Sequence, residues 1–388
     1  MPKIPFTAPD ITQNECDAVL AVLRSGWLTT GAVTAEFEKA LAAYTGADGA
    51  VCVSSATTGL EAALRLCGVG PGDEVIVPVY TFSATAAAVV HVGATPVLAD
   101  CAPDSFLLTA ETVARHLTPR TAAVIPVDIG GTLCDYNAIK AACRTVCRPY
   151  AGGLVPLGRP AVIADAAHSL GSACPAGNSG ALADFSVFSF HATKNLTTAE
   201  GGALLWRFPN ADSAAIYAAL NRSILHGQDR SAWQRNHGAT AYDILDFGHK
   251  ANLSDLQAAV GLSQLKRYYA MLARRRAVCK AYDSRLPDGW SALRHGEHSS
   301  FHLYMALLPE RQADRRDALL EALKEEGICC NLHFPPLPTL SAYKRLGWRA
   351  EDFPNAMALF SRELTLPLSS LMTCQQAEAV CASIKALL

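Results

Sequence analysis

Along the chain, short continuous apolar runs alternate with segments whose apolar residues recur at helical spacing. The runs are Ala50 to Ser54, Glu74 to Pro78 (EVIVP), Thr95 to Ala99 (TPVLA), Ala122 to Val127 (AAVIPV), Ala161 to Ala164 (AVIA), Phe185 to Phe190 (FSVFSF) and Ala203 to Trp206. Between them, Glu36 to Tyr44 (EFEKALAAY) and Leu60 to Cys67 (LEAALRLC) have helical spacing. A strand that is apolar at successive positions is buried on both faces. The pattern therefore predicts an α/β fold: a parallel or mostly parallel sheet flanked by helices.

After about Asp246 the character changes. Leu253 to Arg276 predicts a long helix, Phe301 to Leu308 a strand, Arg315 to Glu326 a helix, Ile328 to Phe334 a strand and Thr373 to Leu388 a final helix. This order describes a smaller C-terminal α+β domain. The expected division is a large domain over 1–248 and a small one over 249–388. The Gly- and Pro-rich stretch Arg148 to Pro160 (RPYAGGLVPLGRP) reads as a surface loop between a helix and the run at Ala161.

Composition narrows the function. The 388 residues carry 33 basic and 35 acidic side chains for a net charge of −2, with 50% hydrophobic and 18% charged residues. That excludes disorder and leaves no basic field for nucleic acid or an anionic membrane. The apolar stretch Ala84 to Ala99 is interrupted by His91 and too short to span a bilayer. The first residues lack the apolar core of a secretory signal, so the expectation is a cytoplasmic protein. Thirteen cysteines form no CxxC pair and have no histidines at zinc spacing. They read as reduced, buried thiols, with no metal site expected.

The informative pair is Asp165 and Lys194. Asp165 closes the run AVIA, and Lys194 follows the run FSVFSF after His-Ala-Thr. In an open parallel sheet the carboxyl ends of the strands line the ligand crevice, so both side chains should enter one cleft. On its own such a pair is more often a structural ion pair. A carboxylate and an amine so placed also suit pyridoxal phosphate. The amine bonds the cofactor aldehyde, and the carboxylate keeps the ring nitrogen protonated.

Other residues support the second reading. Ser54-Ser-Ala-Thr-Thr-Gly59 joins a strand to a helix, where hydroxyls cap the helix and free N–H groups face an anion. A phosphate would dock on the Ala56 and Thr57 amides and the Thr57 hydroxyl, with Ser189 in reach. Phe82, after EVIVP, could stack on a flat ring. His168, shortly after Asp165, could bond the ring hydroxyl or the aspartate. The stretch Gly68-Val-Gly-Pro-Gly-Asp73 precedes a strand and lacks dinucleotide spacing, so it reads as a turn. Motifs for a P-loop, a serine esterase and a zinc peptidase are absent.

With these residues the sequence resembles the DegT-type sugar-nucleotide aminotransferases, which belong to the fold-type I pyridoxal phosphate enzymes. The resemblance runs through Gly26-Trp-Leu-Thr-Thr-Gly31, the segment from Gly70 to Asp100, Ile163-Ala-Asp-Ala-Ala-His-Ser-Leu-Gly171 and Phe188-Ser-Phe-His-Ala-Thr-Lys194. It continues through Asn252-Leu-Ser-Asp-Leu-Gln-Ala-Ala-Val-Gly261, Ser300-Phe-His-Leu-Tyr304 and His333-Phe334.

The resemblance implies that Lys194 holds the cofactor and moves the proton, and that Asp165 pairs with the pyridine nitrogen. Phe82 would stack on the ring, with His168 near its hydroxyl. Ala56, Thr57 and Ser189 would hold the phosphate, and Asn252 would reach a partner's phosphate across a homodimer with shared active sites. Thr29 and His333 would lie near the sugar. Glutamate, giving 2-oxoglutarate, would be the amino donor and a nucleotide-linked keto sugar the acceptor, most like a UDP-4-keto sugar. Two alternatives keep the cofactor: a sugar dehydratase, in which histidine replaces the lysine found here at 194, and a regulator without turnover. The chain departs from the family pattern at Gly248-His-Lys-Ala-Asn252, at Pro126-Val-Asp128 and at Pro335-Pro-Leu-Pro338, and Arg148 to Pro160 resembles an insertion.

Overall fold

The computed structural model describes residues 3–148, 154–155, 157–238 and 240–388. Seven strands form the central sheet: β1 (Gly49–Val53), β2 (Glu74–Pro78), β3 (Thr95–Ala99), β4 (Thr121–Val124), β5 (Ala161–Asp165), β6 (Phe185–Ser189) and β7 (Gly202–Trp206). Their order is β1-β7-β6-β5-β4-β2-β3. β7 runs antiparallel to both neighbours, while the pairs from β6 to β3 are parallel.

The continuous apolar runs arise because alternate residues feed different cores. Val51, Val75, Val77, Ile163, Val187 and Leu204 enter one cluster; Cys52, Ile76, Val162, Ala164, Ala203 and Leu205 enter the other. Helices close both faces. α3 (Ala56–Leu66) packs Leu60 and Leu64 into the first cluster, whereas α2 (Ala32–Thr45) packs Phe37 and Leu41 into the second. α1 (Gln13–Ser25) lies against the long helix α5 (Asp255–Asp283), and α4 (Ser83–His91) lies beside α3.

α5 extends further than the expected Leu253 to Arg276. Ser254 caps its start, accepting from the Gln257 N–H at 3.3 Å. Leu262, Tyr268 and Met271 belong to the second core, and Val278, Cys279 and Tyr282 to a third. This third core holds a small antiparallel sheet, β8 (Ser291–Ala292), β9 (Tyr304–Leu307) and β10 (Glu363–Leu366), with α6 (Arg316–Glu325) and α7 (Cys374–Leu387).

One expected strand is corrected. Ile328 to Phe334 forms only isolated bridges, Ile328 with Ile4 and Asn331 with Thr365, and the strand paired with β9 is Glu363–Leu366. The segment is apolar because Ile328 enters the third core, with Cys330 and Leu332 packed against it, and residues 331–334 line a cavity.

Of the loop from Arg148 to Pro160, residues 149–153 and 156 lie outside the described residues. Its described ends are tied down, Arg148 to Asp73 at 2.9 Å and Arg159 to Asp184 at 2.7 and 2.8 Å. The thirteen cysteines are unpaired. Among the described residues no helix is long and apolar enough to cross a membrane.

α2 is capped from a distance. Its N-cap Gly31 has no side chain, and the buried Asp255 carboxylate instead accepts the Gly31 N–H at 2.8 Å, the Thr34 N–H at 2.9 Å and the Thr34 hydroxyl at 2.6 Å. Removing that acceptor strands buried donors, so Asp255→Ala should cost about 3 kcal/mol of unfolding free energy. Urea denaturation reads this, and a loss below about 1 kcal/mol would contradict the capping role.

Candidate active site

Because β5 and β6 are adjacent and parallel, their carboxyl ends share one edge of the sheet. Asp165 is the last residue of β5 and is buried. Its Oδ2 accepts from the Thr85 hydroxyl at 2.7 Å and its Oδ1 from the Ala167 N–H at 3.2 Å. Burial pushes this carboxyl above its ordinary value, while the Lys194 charge pulls it down. Lys194 sits in the loop after β6, where its N–H donates to the His191 carbonyl at 2.9 Å. Burial pushes its amine down to about 8, opposed by Asp165. Both residues line one cavity of about 580 Å³ with Ala56, Thr57, Phe82 and His168, joined by Ser189 and His333.

One end of the cavity is built for an anion. α3 begins at Ala56, and Ser55 caps it by accepting from the Thr58 N–H at 3.3 Å. The first-turn N–H groups of Ala56 and Thr57 have no acceptor within the helix and carry the positive end of its dipole. Gly202, opposite Ser189 in the ladder, allows the close approach: a Cβ there would come within 2.8 Å of the Ala56 nitrogen. Phe82 is 61% exposed with its ring at the cavity wall, 5.7 Å from that of Phe334. Anion donors, amine, carboxylate and an open aromatic face fit pyridoxal phosphate.

Three histidines surround this centre. His168 Nδ1 accepts from the Gly130 N–H at 3.2 Å, so its Nε2 carries the proton. Its ring lies 4.3 Å from that of His302, whose Nδ1 pairs with Asn195 Oδ1 at 2.9 Å. Burial drives both rings far toward the neutral form. His333 Nδ1 pairs with the Thr365 hydroxyl at 3.0 Å; burial and the Lys194 charge push this ring down to about 3.

Thr29 and Asn252 are not brought to this cavity in the single chain. Asn252 bridges to the Val53 backbone, and its Nδ2 donates to the Thr30 hydroxyl at 2.6 Å. Thr29 is next to that contact, its carbonyl accepting from the Asp255 N–H at 3.4 Å. Sequence reasoning missed Thr85, Asn195, His302, Gly202 and the N-terminal Phe6 and Thr7. Thr85 was within reach of inference, lying in the first turn after Phe82. Phe6 and Thr7 carried no such signal. Asp128, at a departure from the family pattern, lies buried behind the site. It accepts from the Tyr136 hydroxyl and the Ser169 hydroxyl, each at 2.7 Å, and burial pushes it up to about 6.

A cavity of this kind, at the strand ends of this sheet, fits a pyridoxal-phosphate-dependent enzyme, and the family match makes it an aminotransferase. The chain belongs to the DegT/DnrJ/EryC1/StrS aminotransferase family, whose model matches residues 9–385. It is 37% identical over 392 residues to the spore coat polysaccharide biosynthesis protein SpsC of Bacillus subtilis (strain 168), covering 98% of this chain and 96% of that one.

Among solved structures it resembles the putative sugar aminotransferase Spr1654 from Streptococcus pneumoniae in its PMP form. The TM-score is 0.93 at 37% identity, over 100% of this chain and 98% of that one. DesI, solved in the presence of its TDP-sugar product, matches with a TM-score of 0.83 at 29% identity, over 99% and 92% of the two chains.

An amine held near 8 reacts with an aldehyde once it has lost its proton. The rate at which pyridoxal phosphate reconstitutes the apoprotein should therefore rise with pH through about 8 and level off above it. Asp165 holds the amine protonated, so Asp165→Asn should move that midpoint lower. A wild-type midpoint near the ordinary lysine value, about 10.4, would contradict the burial.

Proposed function

We propose that this sugar aminotransferase takes its amino group from glutamate, releasing 2-oxoglutarate, and delivers it to a nucleotide-linked keto sugar. The expected acceptor is a UDP-4-keto sugar used in cell-surface glycan or amino-sugar biosynthesis in the cytoplasm. The observation that carries the reading is the shared cavity of Lys194 and Asp165 beside the N-terminus of α3. Nucleotide linkage draws support from DesI, which was solved with a TDP-sugar product.

When bound, pyridoxal phosphate supplies an electron sink and a carbon that carries nitrogen between the two substrates. The chain's residues do the rest. The Ala56 and Thr57 amides, with the Thr57 and Ser189 hydroxyls, would hold the phosphate. Asp165, fixed by the Thr85 hydroxyl and the Ala167 N–H, would keep the ring nitrogen protonated. Phe82 would stack on the ring, and His168 would offer its Nε2–H to the ring hydroxyl. Lys194 Nζ removes the proton from the amine-bearing carbon of the donor. In the second half-reaction it returns a proton to the former ketone carbon of the sugar. An amine near 8 serves in both directions at neutral pH.

The active unit in this reading is a homodimer, with Asn252 of each chain reaching its partner's phosphate. Support comes from the segment leading to Asn252, where Tyr242, Ile244, Leu245 and Phe247 are exposed and Phe247 is entirely so. The division into 1–248 and 249–388 belongs to the same reading. The third core supports it, although Ile4 pairs with Ile328 and so joins the far N-terminus to the C-terminal part.

A glutamate-coupled screen over UDP-, GDP- and dTDP-linked 3- and 4-keto sugars tests the reaction. Transfer to at least one is expected, and wild-type transfer to none would overturn the reading. Lys194→Ala should remain folded and lose transfer by at least about a thousandfold, on the order of a general base's contribution together with loss of the covalent anchor. Near wild-type turnover in that variant would remove Lys194 from its role. Asn252→Ala should weaken cofactor affinity about tenfold, the worth of one hydrogen bond to a charged group, and unchanged affinity would argue against a shared site.

A further inference from the structure

Arg275 is buried on α5, where a guanidinium needs both hydrogen-bond acceptors and an opposite charge. The first need is met in part. Its Nε donates to the Phe301 carbonyl at 2.9 Å, and its Nη2 donates to the His302 and Leu368 carbonyls at 2.7 and 3.2 Å. Its Nη1 has no acceptor among the described residues and is not sealed inside protein.

The second need is not met. Other arginines with little exposure each meet a carboxylate: Arg267 meets Asp10 and Glu15, Arg159 meets Asp184, and Arg316 meets Asp317. Among the described residues no carboxylate comes within ion-pair distance of Arg275. Burial pushes even this guanidinium down to about 10, with Tyr268 and Cys279 pulling it back up. It still carries its charge at neutral pH.

The unpaired side of this group borders the active-site cavity. Arg275 lines it with His302, Leu303 and Leu368, and among the lining residues Lys194 and Arg275 are the only lysine and arginine. Lys194 is committed to the cofactor, and burial drives the His168, His302 and His333 rings toward the neutral form. A small anionic substrate entering this cavity therefore meets one lasting cation that is not already engaged in the chemistry.

We propose that Arg275 Nη1 binds a carboxylate of the amino donor, which makes Arg275 a substrate-binding residue of the first half-reaction. The proposal rests on the glutamate reading above. Because Nε and Nη2 are spent on carbonyls, the contact is end-on to one carboxylate oxygen and not a two-pronged pairing. The phosphates of a nucleotide sugar suit this place less well. They are held away from the ketone carbon by the sugar ring, whereas the donor's carboxylates sit directly on its amine-bearing carbon and a short chain from it.

The test follows the cofactor absorbance of holoenzyme as glutamate converts it. Arg275→Gln should raise the glutamate concentration giving half the limiting rate about thirtyfold, the worth of one charge-assisted hydrogen bond. The limiting rate should stay within about threefold, and KM for the keto sugar identified in the screen within about twofold. Arg275→Lys keeps a charge without the planar fork and should lose less. Glutamine distinguishes the two carboxylates, and either result supports the site. An equal penalty with glutamine assigns the α-carboxylate to Arg275, and a penalty confined to glutamate assigns the side-chain carboxylate.

A folded variant with unchanged half-saturation, or with equal losses toward glutamate and keto sugar, would overturn the proposal and leave Arg275 a structural tie. If neither variant folds, a crystal structure of wild-type holoenzyme with glutarate decides. A carboxylate oxygen within hydrogen-bond distance of Nη1 is expected, and glutarate seated elsewhere or missing from the cavity would overturn it. If glutamate leaves the wild-type cofactor unchanged, the donor reading fails instead, and the glutarate structure then decides the Arg275 site by itself.

Discussion

The site depends on one electrostatic opposition: an amine and a carboxyl group brought out of water in the same cavity. Each is pushed toward its neutral form by burial and pulled back toward charge by the other. Neither shift would be useful alone. An isolated buried lysine would lose its proton too readily to return one, and an isolated buried aspartate would be a poor partner for a protonated ring. Parallel pairing of β5 and β6 keeps the two groups together, because it puts both strand ends on the same edge of a rigid sheet.

Three rings refine that centre without adding charge. His168, His302 and His333 are all driven toward the neutral form by burial, while the buried guanidinium at the same wall, Arg275, is held by the Phe301, His302 and Leu368 carbonyls. Each ring is oriented by a different device: a backbone N–H for His168, an amide side chain for His302 and a strand hydroxyl for His333. Where the strands end, the anion site is formed by backbone groups. It needs Gly202 more than any charged side chain.

Much of this could be read from the sequence because fully buried strands leave an unmistakable mark. AVIA and FSVFSF announce two strands, and the polar residues that follow them, Asp165 and Lys194, are placed by topology alone. The small sheet was harder. Ile328 to Phe334 has a strand's composition but divides it between the third core and a cavity wall, while Glu363–Leu366 is a true strand disguised by a buried acid and a buried hydroxyl. Thr29 and Asn252 came from the resemblance alone. In the single chain neither lines the cavity, and Asn252 is bonded to the Thr30 hydroxyl.

α5 unites these observations. Its 29 residues make a rod of roughly 43 Å, anchored at one end by the Asp255 cap near Asn252 and at the other by Tyr282 beneath the small sheet. A strut of that length contributes to two cores at once, Leu262, Tyr268 and Met271 to the second and Val278, Cys279 and Tyr282 to the third, so the small sheet is carried on the same rod that closes the large one.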